Sequence, residues 1–379
     1  MMVQGGKTLL CIVGARPNFM KIAPIMESLK HLSADGIVPL LIHTGQHYDE
    51  EMKRCFFDQL GIPEPDVDLE VGSASHAVQT AEIMRRFETV VNDENPIAVL
   101  VVGDVNSTIA CALVAVKLNI PVIHVEAGLR SYDRGMPEEI NRVLTDSISD
   151  MLFITERSAK KNLLREGIDE SRIHFVGNVM IDTLHKNLPN AVPVSSIVEQ
   201  AENSEIFLGK SGYGVLTLHR PSNVDDPKVL KPLLETLREL SEQLPIAFTV
   251  HPRTRSRIEQ AALSSIIETP RILQLPPLGY LEMLGLMSKA RVVLTDSGGI
   301  QEETTALGVP CLTLRENTER PITVEQGTNT IVGSDPSRIR DAFNTIMDSG
   351  GKAGNIPEFW DGKSAQRIVA VLSERFGLK

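Results

Sequence analysis

Acidic side chains follow two apolar, strand-like runs in the first half of this 379-residue sequence. Asp104 comes shortly after the run that ends at Val102, and Glu126 directly follows the run that ends at Val125. An aspartate in such a place can cap the next helix, so Asp104 has a structural explanation beside a chemical one. A buried carboxylate without a partner is costly, and Arg130 is the candidate partner of Glu126. Carboxylates at strand ends could give and take protons.

A third carboxylate, Glu138, lies in the segment Met136–Arg142, which has the pattern of a helix start. Pro137 and two acidic residues occupy its first turn, where proline and negative charge are both favoured. Helix formation alone would therefore explain Glu138 and Glu139. For Glu138 the structural and the chemical explanations both stay open at this point.

Basic and glycine-containing segments follow other strands in both halves of the chain. Arg16 and Lys21 come after a glycine turn, where the N-terminus of a helix would add its own positive end. In the second half, Ser297–Gly299 joins a strand to a helix and exposes backbone N–H groups of the kind that bind a pyrophosphate. Glu303, one turn further on, could accept two ribose hydroxyls. The other basic residues that follow strands are His219, Arg220, His251, Arg253 and Arg320.

Together these groups suit a nucleoside-diphosphate ligand, with the carboxylates directed at whatever it carries. Three motifs that would indicate other chemistry are absent from the sequence: G-x-G-x-x-G after a strand, G-x-x-x-x-G-K-[ST] and G-x-S-x-G. Hydride transfer with a nicotinamide cofactor and P-loop phosphoryl transfer are therefore disfavoured. We expect no cofactor and no metal.

Composition and charge restrict the class of protein and its partners. Hydrophobic residues make up 42% and charged residues 23%, as in ordinary globular chains, and the net charge is −11. An acidic surface repels phosphate backbones and anionic lipids, so we expect neither nucleic-acid nor membrane binding. Four dispersed cysteines and the short apolar N-terminal run, which is unlike a signal peptide, predict a cytoplasmic protein without disulfides.

Short β-branched runs alternate with helical patterns almost from end to end. The apolar runs are continuous, as in parallel strands buried on both faces, and they predict doubly wound α/β sheets. The predicted strands are Thr8–Val13, Val38–His43, Ile97–Val102, Pro121–Val125, Met151–Ile154, Ile173–Phe175, Gly214–Leu218, Ile246–Val250, Arg271–Leu275, Val292–Thr295 and Cys311–Leu314. The predicted helices include Met20–Leu32, Ala77–Asn92, Ser107–Leu118, Pro227–Leu244, Tyr280–Ser288 and Gly299–Leu307.

Two halves of the same plan predict two Rossmann-like domains facing a central cleft, where ligands of such sheets bind. We place the boundary near Gly177–Lys186, which gives an N-terminal domain of residues 1–180 and a C-terminal domain of residues 181–363 that contains the candidate pyrophosphate-binding turn. The last predicted helix, Ser364–Phe376, could close either domain.

Nine segments, in this order, resemble the non-hydrolysing UDP-N-acetylglucosamine 2-epimerases across nearly the whole chain. They are GARPNFMK (Gly14–Lys21), TGQHYD (Thr44–Asp49), GDVNST (Gly103–Thr108), HVEAGLR (His124–Arg130), MPEEINR (Met136–Arg142), HRPSNVD (His219–Asp225), HPRT (His251–Thr254), DSGGIQEE (Asp296–Glu303) and ERP (Glu319–Pro321). The resemblance implies a glycosyltransferase-B-like fold, a homodimer, and a C-terminal helix (364–379) that returns to the first domain. It also implies reversible conversion of UDP-N-acetylglucosamine to UDP-N-acetylmannosamine, for cell-surface polysaccharide synthesis, through a 2-acetamidoglucal intermediate.

The resemblance assigns residues position by position. It implies catalytic roles for Asp104, Glu126, Glu138 and His219. It implies UDP binding by Arg16, Lys21, Ser297, Gly298, Gly299, Glu303 and Arg320. Gln46 matches a residue that some bacterial members use for a second, allosteric UDP-N-acetylglucosamine.

One segment departs from the best-known bacterial epimerases. Between Glu126 and Glu138 this chain reads SYDRGM before Pro137, about two residues fewer, in a loop expected to border the sugar. This loop leaves open a 2-epimerase of a modified UDP-sugar of the diacetamido-uronic type. A hydrolysing 2-epimerase and a glycosyltransferase of the same fold stay open as well, whereas a non-catalytic nucleotide-sugar sensor would leave the carboxylates without a purpose.

Overall fold

The chain forms two compact α/β units in a computed structural model, which describes residues 7–30, 36–45, 56–199, 204–209 and 211–377. The first unit comprises Met1–Lys186 together with Glu358–Lys379, and the second comprises Asn187–Pro357. Each unit contains one sheet whose strands all run parallel. The prediction of two α/β domains built on parallel sheets is confirmed.

The first unit contains a seven-stranded sheet in the order β3-β2-β1-β4-β5-β6-β7. Its strands are β1 (Lys7–Val13), β2 (Ile37–His43), β3 (Val67–Asp68), β4 (Ala98–Val102), β5 (Val122–Ala127), β6 (Met151–Ile154) and β7 (Ile173–Phe175). Its helices are α1 (Arg16–Leu29), α2 (His76–Glu94), α3 (Asn106–Lys117), α4 (Pro137–Ile148), α5 (Arg157–Arg165) and α6 (Val179–Asn187), with a 3-10 turn at Glu170–Arg172.

The second unit contains a six-stranded sheet in the order β10-β9-β8-β11-β12-β13. Its strands are β8 (Gly214–Leu218), β9 (Ile246–Val250), β10 (Ile272–Leu275), β11 (Val292–Thr295), β12 (Cys311–Thr313) and β13 (Asn329–Ile331). A 3-10 turn at Leu188–Asn190 precedes its helices α7 (Val194–Val198), α8 (Ser204–Leu208), α9 (Pro221–Val224), α10 (Pro227–Ser241), α11 (Pro252–Gln260), α12 (Ser264–Ile267), α13 (Tyr280–Lys289), α14 (Gly298–Leu307), α15 (Pro321–Glu325) and α16 (Pro336–Ser349).

The last helix, α17 (Ser364–Phe376), belongs to the first unit and packs against α1. The Asp182 carboxylate of α6 accepts the backbone N–H groups of Ser364 and Ala365 at 3.0 and 2.7 Å. Helix N-termini carry unsatisfied N–H groups, so this carboxylate anchors the start of α17 to α6.

Both sheets reverse their strand order between the first and fourth strand of the unit, at β1/β4 and at β8/β11. The loops that follow these strands diverge, and ligands of doubly wound sheets bind in the opening that results. Strand β4 consists entirely of buried apolar residues, β1 is buried from Leu9 onward, and β5 is buried throughout, as in parallel sheets covered on both faces. The core therefore holds the polar loops at the carboxyl ends of these strands in fixed positions.

Two short edge strands, β3 and β13, have too few apolar residues to be predicted from pattern, and they are new in the structure. Helix α1 begins at Arg16, four residues before the predicted start at Met20, because Pro17 is compatible with a first helical turn. Within the described ranges, no helix is both long enough and apolar enough to cross a membrane.

Candidate active site

Glu126 lies inside β5 with a backbone conformation that is rare for a residue with a side chain. Its φ is +74°, and the pairing of β5 with β6 shifts register between Val125 and Ala127. The prediction that Glu126 follows the strand is therefore wrong: the strand bends at it. Such a conformation costs about 1–3 kcal/mol and persists only where the surroundings impose it, typically at functional sites.

The partner of Glu126 is Lys21 of α1. Their Oε1 and Nζ atoms are 2.7 Å apart, and the two side chains are 1% and 4% exposed. The expected partner, Arg130, is instead 2.7 Å from the Asp146 carboxylate and 2.6 Å from that of Glu166. Arg130 comes after the bend in β5, and its side chain contacts residues of α4 and of the end of α5. The predicted pair of Arg130 with Glu126 is therefore wrong.

Asp104 follows β4 and does not cap the next helix. The N-cap of α3 is Val105, which makes no side-chain cap, so the capping explanation is wrong. The Asp104 carboxylate forms an ion pair with Arg142 of α4 and is 20% exposed. Because Arg142 also binds Glu139 at 2.6 Å, the two acids share one buried cation.

Glu139, rather than Glu138, holds the loop before α4 in place. Its carboxylate accepts the backbone N–H groups of Ser131 and Tyr132 at 2.9 and 2.8 Å. Glu138, one residue earlier on α4, is half-buried. The loop before α4 is thus fixed by a carboxylate that sequence reasoning assigned to the helix start alone.

The loop after β4, the strand bend and α1 meet at Gly103, whose φ is +69°. A Cβ atom at this position would lie 2.9 Å from Lys21 Nζ, 3.1 Å from Asn18 Nδ2 and 3.9 Å from Glu126 Oε1. Both the conformation and the space therefore require glycine. The first unit thus collects Lys21 and Glu126 at its β1/β4 switch point, directly beside the loop that carries Asp104.

Arg16 is the first residue of α1, half-buried, with its guanidinium 4.5 Å from the centre of the Phe56 ring. Stacking on an aromatic face holds an arginine without neutralising it. Gln46, the candidate allosteric residue, lies outside the described residues.

In the second unit, Asp296 organises the loop after β8. Its buried carboxylate lies 2.8 Å from His219 Nδ1 and accepts the backbone N–H groups of His219 and Arg220 at 3.0 and 2.9 Å. It also accepts the Asn223 side-chain amide at 3.1 Å. A carboxylate on Nδ1 leaves Nε2 of His219 directed away from the aspartate, and the ring is 37% exposed.

The surroundings stabilise the ionised form of Asp296. Burial by itself raises the pKa of this carboxyl, but the hydrogen bond and charge of His219 and the two backbone N–H groups outweigh it. The pKa therefore lies below the usual 3.8.

Gly298 begins α14 with Ser297 as its N-cap. A Cβ atom at Gly298 would lie 2.6 Å from Glu319 Oε1 and 2.7 Å from Arg320 Nη1. Arg320 is itself buried between carboxylates, with Nε 2.9 Å from Glu302. Half-buried Gly299 completes the first turn, whose N–H groups point along the helix axis.

Glu303 is buried one turn into α14, close to Tyr280 of α13. Burial and the negative charge of Glu303 raise the pKa of the Tyr280 hydroxyl well above its usual value. The tyrosine beside Glu303 is therefore neutral.

Most of the cations that the sequence singled out are paired with carboxylates within their own unit. Besides Lys21 and Arg320, Arg253 binds Asp225. The positive charges of these residues are therefore largely balanced by neighbouring carboxylates. Among the described residues no group of three or more His, Cys, Asp or Glu is arranged to hold a metal ion.

Comparison with models of known protein families identifies the family of this chain. Residues 30–373 match the family model of UDP-N-acetylglucosamine 2-epimerase. The chain belongs to this family. The resemblance noted from the nine segments is thereby confirmed.

Individual relatives in the epimerase family extend over nearly the whole chain. The UDP-N-acetylglucosamine 2-epimerase of Methanocaldococcus jannaschii is 44% identical over 96% of this chain and 98% of its own. The UDP-2,3-diacetamido-2,3-dideoxy-D-glucuronate 2-epimerase of Pseudomonas aeruginosa is 38% identical over 97% of this chain and 99% of its own.

A solved structure supports the same family assignment. The crystal structure of the Methanocaldococcus jannaschii UDP-GlcNAc 2-epimerase in complex with UDP-GlcNAc and UDP is similar to this chain, with a TM-score of 0.85. The match covers 97% of this chain and 99% of that one at 44% identity. The glycosyltransferase-B-like fold class of the epimerase family therefore applies to this chain.

Several side chains that build the site were not among the site residues predicted from the sequence. These side chains are the buried residues Asp146, Arg142, Glu139 and Asp296. Arg142 and Asp296 bind the predicted residues Asp104 and His219, and Glu139 and Asp146 bind backbone N–H groups of the segment that follows Glu126. His124 and Asp296 lie within segments that carried the resemblance, close to Glu126 and Ser297, and this position in the sequence could have identified them. Asp146, a buried residue of α4, lies outside those segments, so no feature of the sequence pointed to it.

Proposed function

We propose that the protein is a non-hydrolysing UDP-N-acetylglucosamine 2-epimerase that interconverts UDP-N-acetylglucosamine and UDP-N-acetylmannosamine. The observation that carries the proposal is the strained, buried Glu126, held by Lys21 at the β1/β4 switch point beside the Asp104 loop. Membership of the epimerase family supports the same substrate class.

The chemistry requires elimination rather than direct deprotonation. The C2 hydrogen of the sugar is not next to a carbonyl, so its removal becomes feasible once the C1–O bond to UDP breaks. Loss of UDP and of the C2 proton gives 2-acetamidoglucal, and reprotonation on the opposite face with return of UDP gives the epimer. The route needs proton donors and acceptors on two faces of C2, and stabilisation of the departing pyrophosphate.

The first unit supplies the proton chemistry in this proposal. Asp104 or Glu138 acts as base or acid at C2, and Glu126 positions or shares the proton. The Arg142–Asp104 ion pair supports this role, because a shared cation favours an ionised, proton-accepting Asp104.

The second unit holds UDP and its developing charge. The N–H groups of Ser297, Gly298 and Gly299 and the side chain of Arg320 receive the pyrophosphate, and Glu303 receives the ribose. His219, oriented by Asp296, donates from Nε2 to the leaving phosphate. Arg16, held over Phe56, and Lys21 contribute from the first unit.

Incubation with UDP-N-acetylglucosamine in D2O tests the proposal by NMR. We expect deuterium at C2 and accumulation of the manno epimer with UDP still attached. Release of free N-acetylmannosamine would indicate a hydrolysing enzyme. Transfer that requires an acceptor, without C2 exchange, would indicate a glycosyltransferase, and the absence of any exchange at high enzyme concentration would contradict the proposal.

Asp104→Asn separates catalysis from binding in the same assay. We expect it to abolish C2 exchange while UDP still binds, because the amide keeps the shape of the side chain and loses its basicity. Ser147→Ala, at an exposed position on α4, is the matched control. Full activity of Asp104→Asn would remove Asp104 from the mechanism.

A diacetamido-uronic UDP-sugar is the second candidate substrate. The relative from Pseudomonas aeruginosa carries that specificity in its name, and the loop fixed by Glu139 is short in this chain. Parallel kcat/KM measurements on both UDP-sugars decide between them. The better substrate is the one with the higher value.

We also propose a homodimer in the cytoplasm that supplies cell-surface polysaccharide synthesis. Ile140, Val143 and Leu144 leave one apolar face of α4 exposed, which supports a second copy as its cover. Buried free thiols at Cys11, Cys111 and Cys311 support a reducing compartment. Light scattering of Leu144→Glu should show a monomer where the parent chain shows a dimer.

A further inference from the structure

His124 of β5 is buried completely between two acceptors. Its Nδ1 lies 2.7 Å from the Asp146 carboxylate, and its Nε2 lies 2.8 Å from the backbone carbonyl of Gly103. Both His124 and Asp146 are 0% exposed.

Both ring nitrogens must donate in this arrangement. A carbonyl oxygen can only accept, so Nε2 carries a proton. Asp146 accepts the Gly128 N–H at 3.0 Å and pairs with Arg130 at 2.7 Å, which keeps it ionised, so Nδ1 carries a proton as well. The ring is therefore an imidazolium that binds one carboxylate and one carbonyl.

The charges around the ring balance. Asp146 and Glu166 are negative, and Arg130, which contacts both, is positive together with the imidazolium. A buried cation is tolerated where it is paired and fully hydrogen-bonded, as here. A further charged pair, Lys21 with Glu126, is neutral as a pair.

The backbone carbonyl that His124 binds belongs to Gly103, the residue directly before Asp104. Gly103 adopts a left-handed conformation, and its N–H donates to Val125 of β5 at 3.0 Å. Val125 and His124 thus bind the Gly103 N–H and C=O respectively, so the peptide before Asp104 is fixed to β5. The same strand carries Glu126, so one element sets the positions of both carboxylates.

We propose that His124, as an imidazolium held by Asp146, is a positioning residue that orients the Asp104 peptide relative to Glu126. The proposal rests on the proposed epimerase function for its kinetic consequence, and on geometry alone for the charge of the ring. A misplacement of about 1 Å at a reacting group can reduce the rate about 100-fold, so the effect falls on turnover.

The ring charge is tested by 15N NMR of histidine-labelled protein without substrate. We expect both His124 nitrogens to be protonated at pH 7.5, and Asp146→Asn to remove one of these protons. His174 of β7 is the internal reference, because burial lowers its pKa below 6.5 and leaves it neutral. A singly protonated His124 ring in the parent chain would overturn the proposal.

The positioning role is tested with His124→Gln, whose amide can replace only one of the two donors. We expect kcat for C2 exchange to fall about 10- to 100-fold while the Kd for UDP changes less than about threefold. His174→Gln, in the edge strand of the same sheet, should keep both values. Wild-type kcat in His124→Gln would overturn the proposal.

A third measurement separates this proposal from the function on which it rests. The backbone amide signal of Asp104 should shift in His124→Gln and stay in place in His174→Gln, with no substrate present. If the parent chain shows no C2 exchange, the epimerase function fails, and the ring protons and the Asp104 amide still decide the positioning role. An unmoved Asp104 signal would contradict it.

Discussion

The two units place an aspartate after the fourth strand of the same kind of sheet and use it in opposite ways. In the first unit Asp104 follows β4, is 20% exposed and shares the cation of Arg142 with Glu139. In the second unit Asp296 follows β11, is fully buried and accepts donors from His219, Arg220 and Asn223. The same topology therefore yields a partly exposed carboxylate in one unit and a fully enclosed one in the other.

Exposure and hydrogen-bond donors together account for the difference. Asp104 is partly exposed and shares one cation, whereas Asp296 is enclosed and its donors outweigh the effect of burial, which keeps it ionised. The first unit keeps its acids in pairs with cations at the switch point. The second unit uses its acids to fix donors, which is what binding of a diphosphate requires.

The largest expected effect concerns the Lys21–Glu126 pair. Glu126→Gln should lower the rate of C2 exchange about 10²- to 10⁴-fold through loss of proton transfer. It should also lower the free energy of unfolding by about 3–5 kcal/mol, because Lys21 is left buried without its counter-charge. Lys21→Met combined with Glu126→Gln should recover most of the stability and none of the activity, as measured by urea denaturation and NMR. Recovery of activity in the double variant would reduce Glu126 to a structural role.

The matching change in the second unit is Asp296→Asn. Loss of the carboxylate frees the His219 ring from its orientation and removes one acceptor from two backbone N–H groups. We expect kcat to fall about 100-fold, as for loss of one donor to a developing charge, with a weaker affinity for UDP. Steady-state kinetics and calorimetry check both values. An unchanged affinity for UDP would contradict the assignment of UDP binding to the second unit.

A smaller effect is expected at the start of α14. In Gly298→Ala the added methyl group would meet Glu319 and Arg320, and we expect UDP affinity to fall about tenfold, about 1.4 kcal/mol. Gly209→Ala is the control, since its Cβ atom would meet only carbonyl oxygens at 3.6 Å. Calorimetric titration with UDP measures both variants. Equal affinities would show that the diphosphate does not approach this helix N-terminus.

The smallest expected effect is the pH dependence of stability. Because folding lowers the pKa of Asp296 below 3.8, its ionised form stabilises the folded chain fully above that pH. This contribution is lost as the pH falls through the folded-state pKa. The stability difference between the parent chain and Asp296→Asn should therefore be larger at pH 6 than at pH 3 in urea denaturation. A difference that grows towards pH 3 would contradict the assignment.

Pattern alone predicted the regular framework well and the site only in part. Met151–Ile154 and Gly214–Leu218 have the predicted bounds, because a continuous apolar run is both the cause and the sequence signal of a buried parallel strand. Strand β13 was missed because its three residues include two polar ones. The resemblance identified the family, and it named Glu126 without revealing the bend at that residue.

The sequence by itself determined the fold class, the order of the elements and the residue types available at the ends of the strands. These properties follow from local periodicity and from the absence or presence of short motifs. The tertiary structure decided which acid meets which base: Lys21 binds Glu126, Arg130 binds Asp146, and Asp296 binds His219. Such pairs join residues 16 to 105 positions apart, so their energies depend on distance and burial, which only the folded chain defines.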